Sequence, residues 1–331
     1  MFSAIMLLLG GITVFILGLR FIGENVERAL GERVRAGIAN ATKNPLTACL
    51  FGAGVTCLAQ SSVAVNMAIV GRVDAGVVAF SGACAVIIGT NIGTTITAQL
   101  VSLSFATFDV TAFGSLVCFF GLVASLAWKG RFRFQGDILI GFGLIFIGIK
   151  IMTEAVGSFY GYEWFDSFFA IKSAPILLLN GFFITAICQS SSVVSSILVI
   201  LAADGKVDFY SVVFLILGSN IGTCLSVVNA SRNKGVTARK AAVFNFVFNA
   251  IGALLFAAAF ALFKDFFLSL FTSHAPVARA VANFHTFFNT ASAVVLFPFI
   301  KPMERLCDLF FIKKEKKTSL KVEKNLRKVV K

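Results

Sequence analysis

Two polar clusters recur inside apolar sequence at one fixed interval. Gln60-Ser61-Ser62 returns as Gln189-Ser190-Ser191-Ser192, and 129 residues separate Gln60 from Gln189. The same 129 residues separate Gly89-Thr90-Asn91-Ile92-Gly93-Thr94 from Gly218-Ser219-Asn220-Ile221-Gly222-Thr223. Carbonyl and hydroxyl oxygens suit a hard cation such as sodium. Amide and hydroxyl donors, with free N–H groups at a helix N-terminus, suit an oxyanion. No charged residue lies between Lys43 and Arg72, Asp74 and Asp109, Lys172 and Asp204, or Asp208 and Arg232. The motifs therefore hold no Arg or Lys clamp and no carboxylate pair for acid–base work. A Ser–His–Asp arrangement is also excluded, because His274 and His285 lie far downstream of every motif. The expectation is a protein that is not an enzyme. A neutral site that held an anion alone would carry a heavy desolvation penalty. Accompanying cations offset that penalty. The chemistry thus points to cation-coupled anion transport over a bare anion channel, whose lining more often carries Arg or Lys.

The elements that position these residues must sit in a bilayer. Of 331 residues, 58% are hydrophobic and 14% charged, with mean hydropathy +0.90. Soluble domains carry about 25% charged residues. Many windows exceed the roughly 20 apolar residues that span a membrane as helix, and the ~10-residue alternating strands of a β-barrel are missing from the pattern. The chain reads as an all-α membrane protein. Spans are expected at 2–22, 108–128, 137–157, 239–263 and 281–300. Two longer apolar blocks, 46–102 and 175–231, carry the motifs. The first span lacks a basic start and a cleavage signature and reads as retained. The seven cysteines read as free packing thiols.

The duplication extends beyond the motifs. Gly18, Arg20 and Glu24 match Gly148, Lys150 and Glu154 at an offset of 130. One unit covers 1–130, the other 135–265, with 281–300 as an extra transmembrane helix and 305–331 as a basic tail. Loop charge gives orientation. The segments 23–45, 129–133 and 231–240 and the tail are rich in Lys and Arg and read as cytoplasmic, whereas 158–174 reads as external. With these sides, each motif block makes an odd number of net crossings although it has two long apolar arms. One arm must be re-entrant or broken, and irregular backbone is tolerated at membrane depth only where it lines a cavity or is buried. The expected architecture is an inverted-topology repeat transporter with re-entrant or broken helices and two half-sites near the midplane.

With those residues in hand, the chain resembles the type II sodium-dependent phosphate cotransporter family. That family has paired Gln-Ser-Ser-Ser segments in inverted repeats, each followed by a Gly-Thr-Asn-like segment. Phe248-Asn249 and His285-x-x-Phe288-Asn289 look like its later helices. The resemblance implies a transporter of inorganic phosphate coupled to sodium, with sodium as coupling ion and no other cofactor. It implies substrate and ion binding at Gln60, Ser61, Ser62, Gln189, Ser190, Ser191 and Ser192, with Thr90, Asn91, Thr94, Ser219, Asn220 and Thr223 around them. Sodium is expected at Gln60, Ser61, Gln189, Ser190, Ser191 and Ser192. The first copy departs from the pattern at Val63, where a third Ser is usual, which removes one hydroxyl. Longer relatives add a helical regulatory domain; here a short basic tail follows, with Val322, Leu326 and Val329 on one helical face.

Other readings stay open at this point. An exporter, a carrier for another oxyanion, a gated anion channel and a non-transporting sensor use the same residue types. The tail from Lys313 to Lys331 holds nine Lys and Arg against two Glu and supplies +7 of the net +13. It suits anionic lipid at a cytoplasmic surface, and nothing else supports a nucleic-acid partner. The expected location is the cell (inner) membrane, multi-pass, with the C-terminus cytoplasmic. Asn249 and Asn289 suit either a cation site or bonds across helices. Glu24 and Glu154 suit i,i+4 pairing with a basic neighbour, and Asp74 and Asp204 suit solvated turns. Close helix packing by small residues accounts for Gly52 with Gly181 and Gly76 with Gly205.

Overall fold

The computed structural model describes residues 1–105, 109–128, 133–273 and 275–311, less the side chains of 30–36, 39 and 166. The loop charges Lys129 and Arg131, His274 and the tail beyond 311, with Val322, Leu326 and Val329, lie outside the described residues. All regular structure among the described residues is helical. The first copy comprises α1 (Phe2–Ala41), α2 (Pro45–Ala59), α3 (Ser62–Asp74), α4 (Phe80–Thr94), α5 (Ile96–Leu103) and α6 (Val110–Ala127). The second comprises α7 (Arg133–Gly157), α8 (Glu163–Ala170), α9 (Ala174–Cys188), α10 (Ser191–Ala203), α11 (Phe209–Ala230) and α12 (Val236–Leu262). After α13 (Lys264–Thr272) and α14 (Val277–Leu296), a 3₁₀ turn leads into helix that continues to Phe311. Among the described residues, seven helices are long and apolar enough to cross a membrane.

Two bounds differ from expectation for a readable reason. The first helix runs to Ala41, well past its apolar part, because the polar stretch after Ile22 has no proline until Pro45. The last span likewise starts at Val277 and reaches Phe311, inside the segment expected to be tail.

The two copies pack alike at the level of backbone. A Cβ built on Gly52 would lie 2.2 Å from the Val86 carbonyl oxygen, and one on Gly181 would lie 2.1 Å from that of Leu215. At Gly89 and Gly218 the distances to the Cys49 and Leu178 oxygens are both 1.9 Å. Lipid is as apolar as leucine, so association inside a membrane depends on such close approach. The contacts also give direction. Gly82 meets Thr42 just ahead of α2, and along α2 and α4 Gly89 meets Cys49 and Gly93 meets Ala53 and Thr56. Both indices rise together, so α2 and α4 run parallel; α9 and α11 do the same. The short helix between each pair must therefore run back. The arm that doubles back is thus the first one: α2–α3 and α9–α10 are helical hairpins. Their arms of 15 and 13 residues measure about 22 and 20 Å, too short for a hydrocarbon core of about 30 Å. The second arm, α4–α5 or α11, is long enough to cross.

The equivalent helices α1 and α7 pack on each other. Gly11 meets Met152, Gly148 meets Phe15, Gly18 meets Ile145, and Gly141 meets Ile22. One index rises as the other falls, so this pair is antiparallel. Gly76 (φ +71°) and Gly205 (φ +69°) have open space around them. They serve turn geometry and not close packing, which corrects the expectation for that pair.

Polar contacts gather the loops at two ends. At one end the Met1 amino group donates to Tyr162 Oη at 2.9 Å, Tyr160 Oη donates to Asp204 at 2.6 Å, and Lys172 pairs with Asp208. Burial raises the Asp208 carboxyl, but bonds from Lys172 and the Ser211 N–H outweigh it and hold it below the usual range. At the other end Asp74 accepts from the Gly235 N–H at 2.8 Å, Lys234 lies 3.6 Å from Asp74, and Lys240 lies 2.7 Å from Asp308. Asp74 and Asp204 are thus tied to loops and not simply solvated. Glu154 pairs with Lys150 at 3.5 Å, and Glu24 with Arg28 at 3.9 Å.

Gly89→Ala and Gly218→Ala should each cost about 3 kcal/mol or more, because carbonyl backbone cannot yield to a methyl group. Gly10→Ala, with nothing within 4 Å, should stay within about 0.5 kcal/mol of the parent. Thermal unfolding in detergent reads the difference, and equal midpoints for all three would refute the packing argument.

Candidate functional site

The Gln-Ser-Ser motif is a way to reverse a helix in two residues. Gln60 ends α2 in the left-handed conformation (φ 55°, ψ 20°), with its N–H on the Thr56 oxygen at 2.8 Å. Ser61 is extended, and its Oγ accepts from the Ala64 N–H at 3.2 Å as the N-cap of α3. Ser62 is the first helical residue. The second copy repeats this. Gln189 has φ 55° and ψ 20° with its N–H on Thr185 at 2.7 Å, and Ser190 accepts from Val193 at 3.4 Å. Gln60 and Gln189 are the only non-glycine residues with positive φ among those described. Glycine would meet that geometry without strain. A side chain kept at a strained position is a pointer to function.

The helix starts that follow converge. A small cavity is lined by Ser62, Asn66, Asn91 and Thr94 from the first copy, by Ser191, Asn220, Thr223 and Cys224 from the second, and by Asn245 of α12. Ser62 and Ser191, Asn91 and Asn220, and Thr94 and Thr223 are matched pairs at the 129-residue interval. Every lining residue is uncharged. The N-termini of α3 and α10 both open here, each a source of partial positive charge and unpaired N–H groups. Asn220 Nδ2 is shielded from solvent and has no hydrogen-bond partner. A buried donor left in that state costs about 1–3 kcal/mol, and an acceptor in the cavity would relieve it.

Of the thirteen residues singled out in the sequence, six line this cavity: Ser62, Asn91, Thr94, Ser191, Asn220 and Thr223. Thr90 stands one bond behind it, its Oγ donating to Asn66 Oδ1 at 2.9 Å. Ser219 lies behind the second copy, accepting from Thr185 Oγ1 at 2.7 Å. Ser192 is buried, with its Oγ 3.4 Å from Thr97 Oγ1. Ser61 and Ser190 are committed to capping. Gln60 and Gln189 sit at the hairpin tips beside the cavity and not on its wall. Gln60 Oε1 accepts from Thr97 Oγ1 at 2.9 Å.

Sequence reasoning did not place Asn66, Cys224, Thr97 or Asn245 in the site. The signal for Asn245 was the Phe244-Asn245 pair one turn before Phe248-Asn249, a second buried amide on an apolar helix. Asn249 donates to the Asn245 backbone oxygen at 2.9 Å and Oδ1 at 3.1 Å, and Asn289 donates to the His285 oxygen at 2.9 Å. These donors bond along their own helices, and Asn249 also bonds across to Cys224 of α11.

The sequence profile of the Na⁺/Pi-cotransporter family matches residues 14–154 and 169–288. The "Putative inorganic phosphate export protein YjbB" of Escherichia coli K12 is 29% identical over 306 residues, 91% of this chain and 54% of that protein. Its namesake in Salmonella typhimurium is 29% identical over 307 residues, with the same coverage. The "Uncharacterized protein YqeW" of Bacillus subtilis is 28% identical over 300 residues, 90% of this chain and 95% of that protein. The chain thus spans about half the length of the first two and nearly all of the third. No solved structure matches it.

Backbone and side-chain roles of the two glutamines separate by substitution. Gln189→Gly should raise stability by about 1 kcal/mol by releasing left-handed strain. Gln60→Gly should be close to neutral, because the same relief is offset by the lost Thr97 bond. Thermal unfolding of the ligand-free protein checks this, and marked destabilisation at Gln189 would show that its side chain holds the fold.

Proposed function

The chain belongs to the Na⁺/Pi-cotransporter family, and from that premise we propose that it carries inorganic phosphate across a membrane together with sodium, by alternating access. One observation carries the reading: matched neutral side chains from both copies meet at a single cavity. A tetrahedral oxyanion needs several convergent donors. The hydroxyls of Ser62 and Ser191, the amide of Asn220 and two helix N-termini are of that kind, whereas Thr94 and Thr223 donate to the Thr90 and Ser219 carbonyls and offer the cavity oxygen lone pairs. With no basic side chain on the wall, the anion's charge is offset by sodium held on hydroxyl and carbonyl oxygens, Gln60, Ser61, Gln189, Ser190, Ser191 and Ser192 among them. Two of these, Ser61 and Ser190, offer only the lone pairs that capping leaves free.

The antiparallel pair α1 and α7, the shared 129-residue interval and the opposed loop ends support an inverted repeat. In that arrangement the hairpin α2–α3 enters from the Lys- and Arg-rich side and α9–α10 from the other. The basic loops favour that first side as the cytoplasmic one, and the Lys240–Asp308 pair ties the C-terminal helix to it. The E. coli and Salmonella relatives are named for phosphate export, and the same cavity serves either direction; the sodium gradient sets it.

The test uses purified protein in liposomes loaded for labelled phosphate uptake. An inward sodium gradient should drive accumulation, and potassium in its place should not. Equal uptake in both would sink sodium coupling, and uptake in neither, with outward flux intact, would favour export. Gln60→Ala and Gln189→Ala should each lower uptake at least about 100-fold in folded protein, the scale on which lost orienting groups act. Normal transport by either would refute the two-half-site arrangement.

A further inference from the structure

We propose that Thr97 and Ser226 are matched positioning residues that hold the two motif glutamines in turn, an inference that rests on the alternating-access reading above. The pair is related by the same 129-residue interval as the motifs. Thr97 Oγ1 donates to Gln60 Oε1 at 2.9 Å and stands 3.4 Å from Ser192 Oγ, which can donate back to it. This chain of three side chains crosses between the copies: Gln60 and Thr97 come from the first, Ser192 from the second.

The second copy shows the same parts unjoined. Ser226 Oγ is shielded from solvent and has no hydrogen-bond partner. Gln189 is exposed and makes no bond to it. A buried hydroxyl without a partner is costly, and the residue whose counterpart satisfies Thr97 stands at the neighbouring hairpin tip. The first tip is also covered by α1, where a Cβ on Gly23 would lie 2.6 Å from the Ala59 oxygen. That cover accounts for part of the shielding of Gln60. It does not account for an orphan hydroxyl inside the second copy.

Two states follow. In one, seen here, Gln60 is held and Gln189 is free. In the other, Ser226 holds Gln189 and Thr97 releases Gln60. The states are unequal because Ser192 corresponds to Val63, which offers no hydroxyl. The first state has a bond across the copies that the second cannot make, so the ligand-free protein rests with Gln60 held. The odd Val63 thus becomes the residue that sets the bias.

The experiment follows alkylation of two native cysteines in the full chain, in lipid, with neither sodium nor phosphate present, resolved by peptide mass. Cys188 neighbours Gln189 and is exposed, and Cys57 lies one turn before Gln60 and is half-buried. Thr97→Val should slow Cys188 and speed Cys57 by about two- to tenfold, the population shift that one net hydrogen bond gives. Ser226→Ala should leave Cys188 at the parent rate or faster. Val63→Ser should slow Cys188 as Thr97→Val does, and Thr97→Ser should restore parent rates. Shifts of the same sign in Thr97→Val and Ser226→Ala, or parent rates in Val63→Ser, would overturn the proposal. Should Thr97→Val fail to fold, Val63→Ser decides alone. With no substrate present, these rates are independent of which anion moves and of what drives it. Loss of sodium-dependent uptake would refute the transport reading, and unshifted alkylation would refute this one.

Discussion

A peptide N–H or C=O left unpaired in hydrocarbon costs on the order of several kcal/mol, and the rest of this structure is arranged around that constraint. A helix that turns back inside a membrane exposes its last carbonyls and its successor's first N–H groups. Here the break is confined to two residues. A left-handed glutamine closes the incoming helix, and a serine caps the outgoing one. Apart from the N–H groups of Ala64 and Val193, which the two serines take, the first-turn N–H groups of α3 and α10 stay open, and both helices open on the same cavity. The groups that the fold leaves unsatisfied thus face one shared cavity.

The hairpin arms are too short to span alone and too apolar to face water, so each needs a partner along its length. Glycine supplies it. In both copies the crossing helix lies so close to the first hairpin arm that carbonyl oxygen occupies the space of a methyl group. The polar residues are then placed by helix register. Asn91 and Thr94, like Asn220 and Thr223, fall on the face of the crossing helix that the returning arm leaves open to the cavity.

Much of this was legible in the chain. The repeated interval, the neutral motifs and the need for a re-entrant arm come from residue order and loop charge. Which arm turns back was not legible, because both arms of 46–102 are apolar and hydropathy does not register a two-residue reversal. Contacts between glycine and backbone decide it. The division of labour within the motif was equally hidden. Ser61 and Ser62 are the same residue type, yet one spends its oxygen on a cap and the other lines the cavity. That difference is one of φ and ψ, and composition carries no trace of it. Asn245 and Thr97 were missed because both lie outside the doubled motifs, on α12 and α5, and only the fold brings them beside the hairpin tips and the cavity.

The glycine contacts have a mechanical consequence. Within each copy, hairpin and crossing helix meet backbone to backbone, where a shift of even one ångström would bring atoms into collision or open a void. Each such pair behaves as a stiff plank. Between the planks the contacts near the cavity are of another kind: hydroxyls and carboxamides, which can change partners by rotating about a single bond. Stiffness and compliance are therefore segregated in this molecule. The compliant seam runs through the cavity itself, so whatever sits there is placed to feel, and to alter, how the two halves lie against each other.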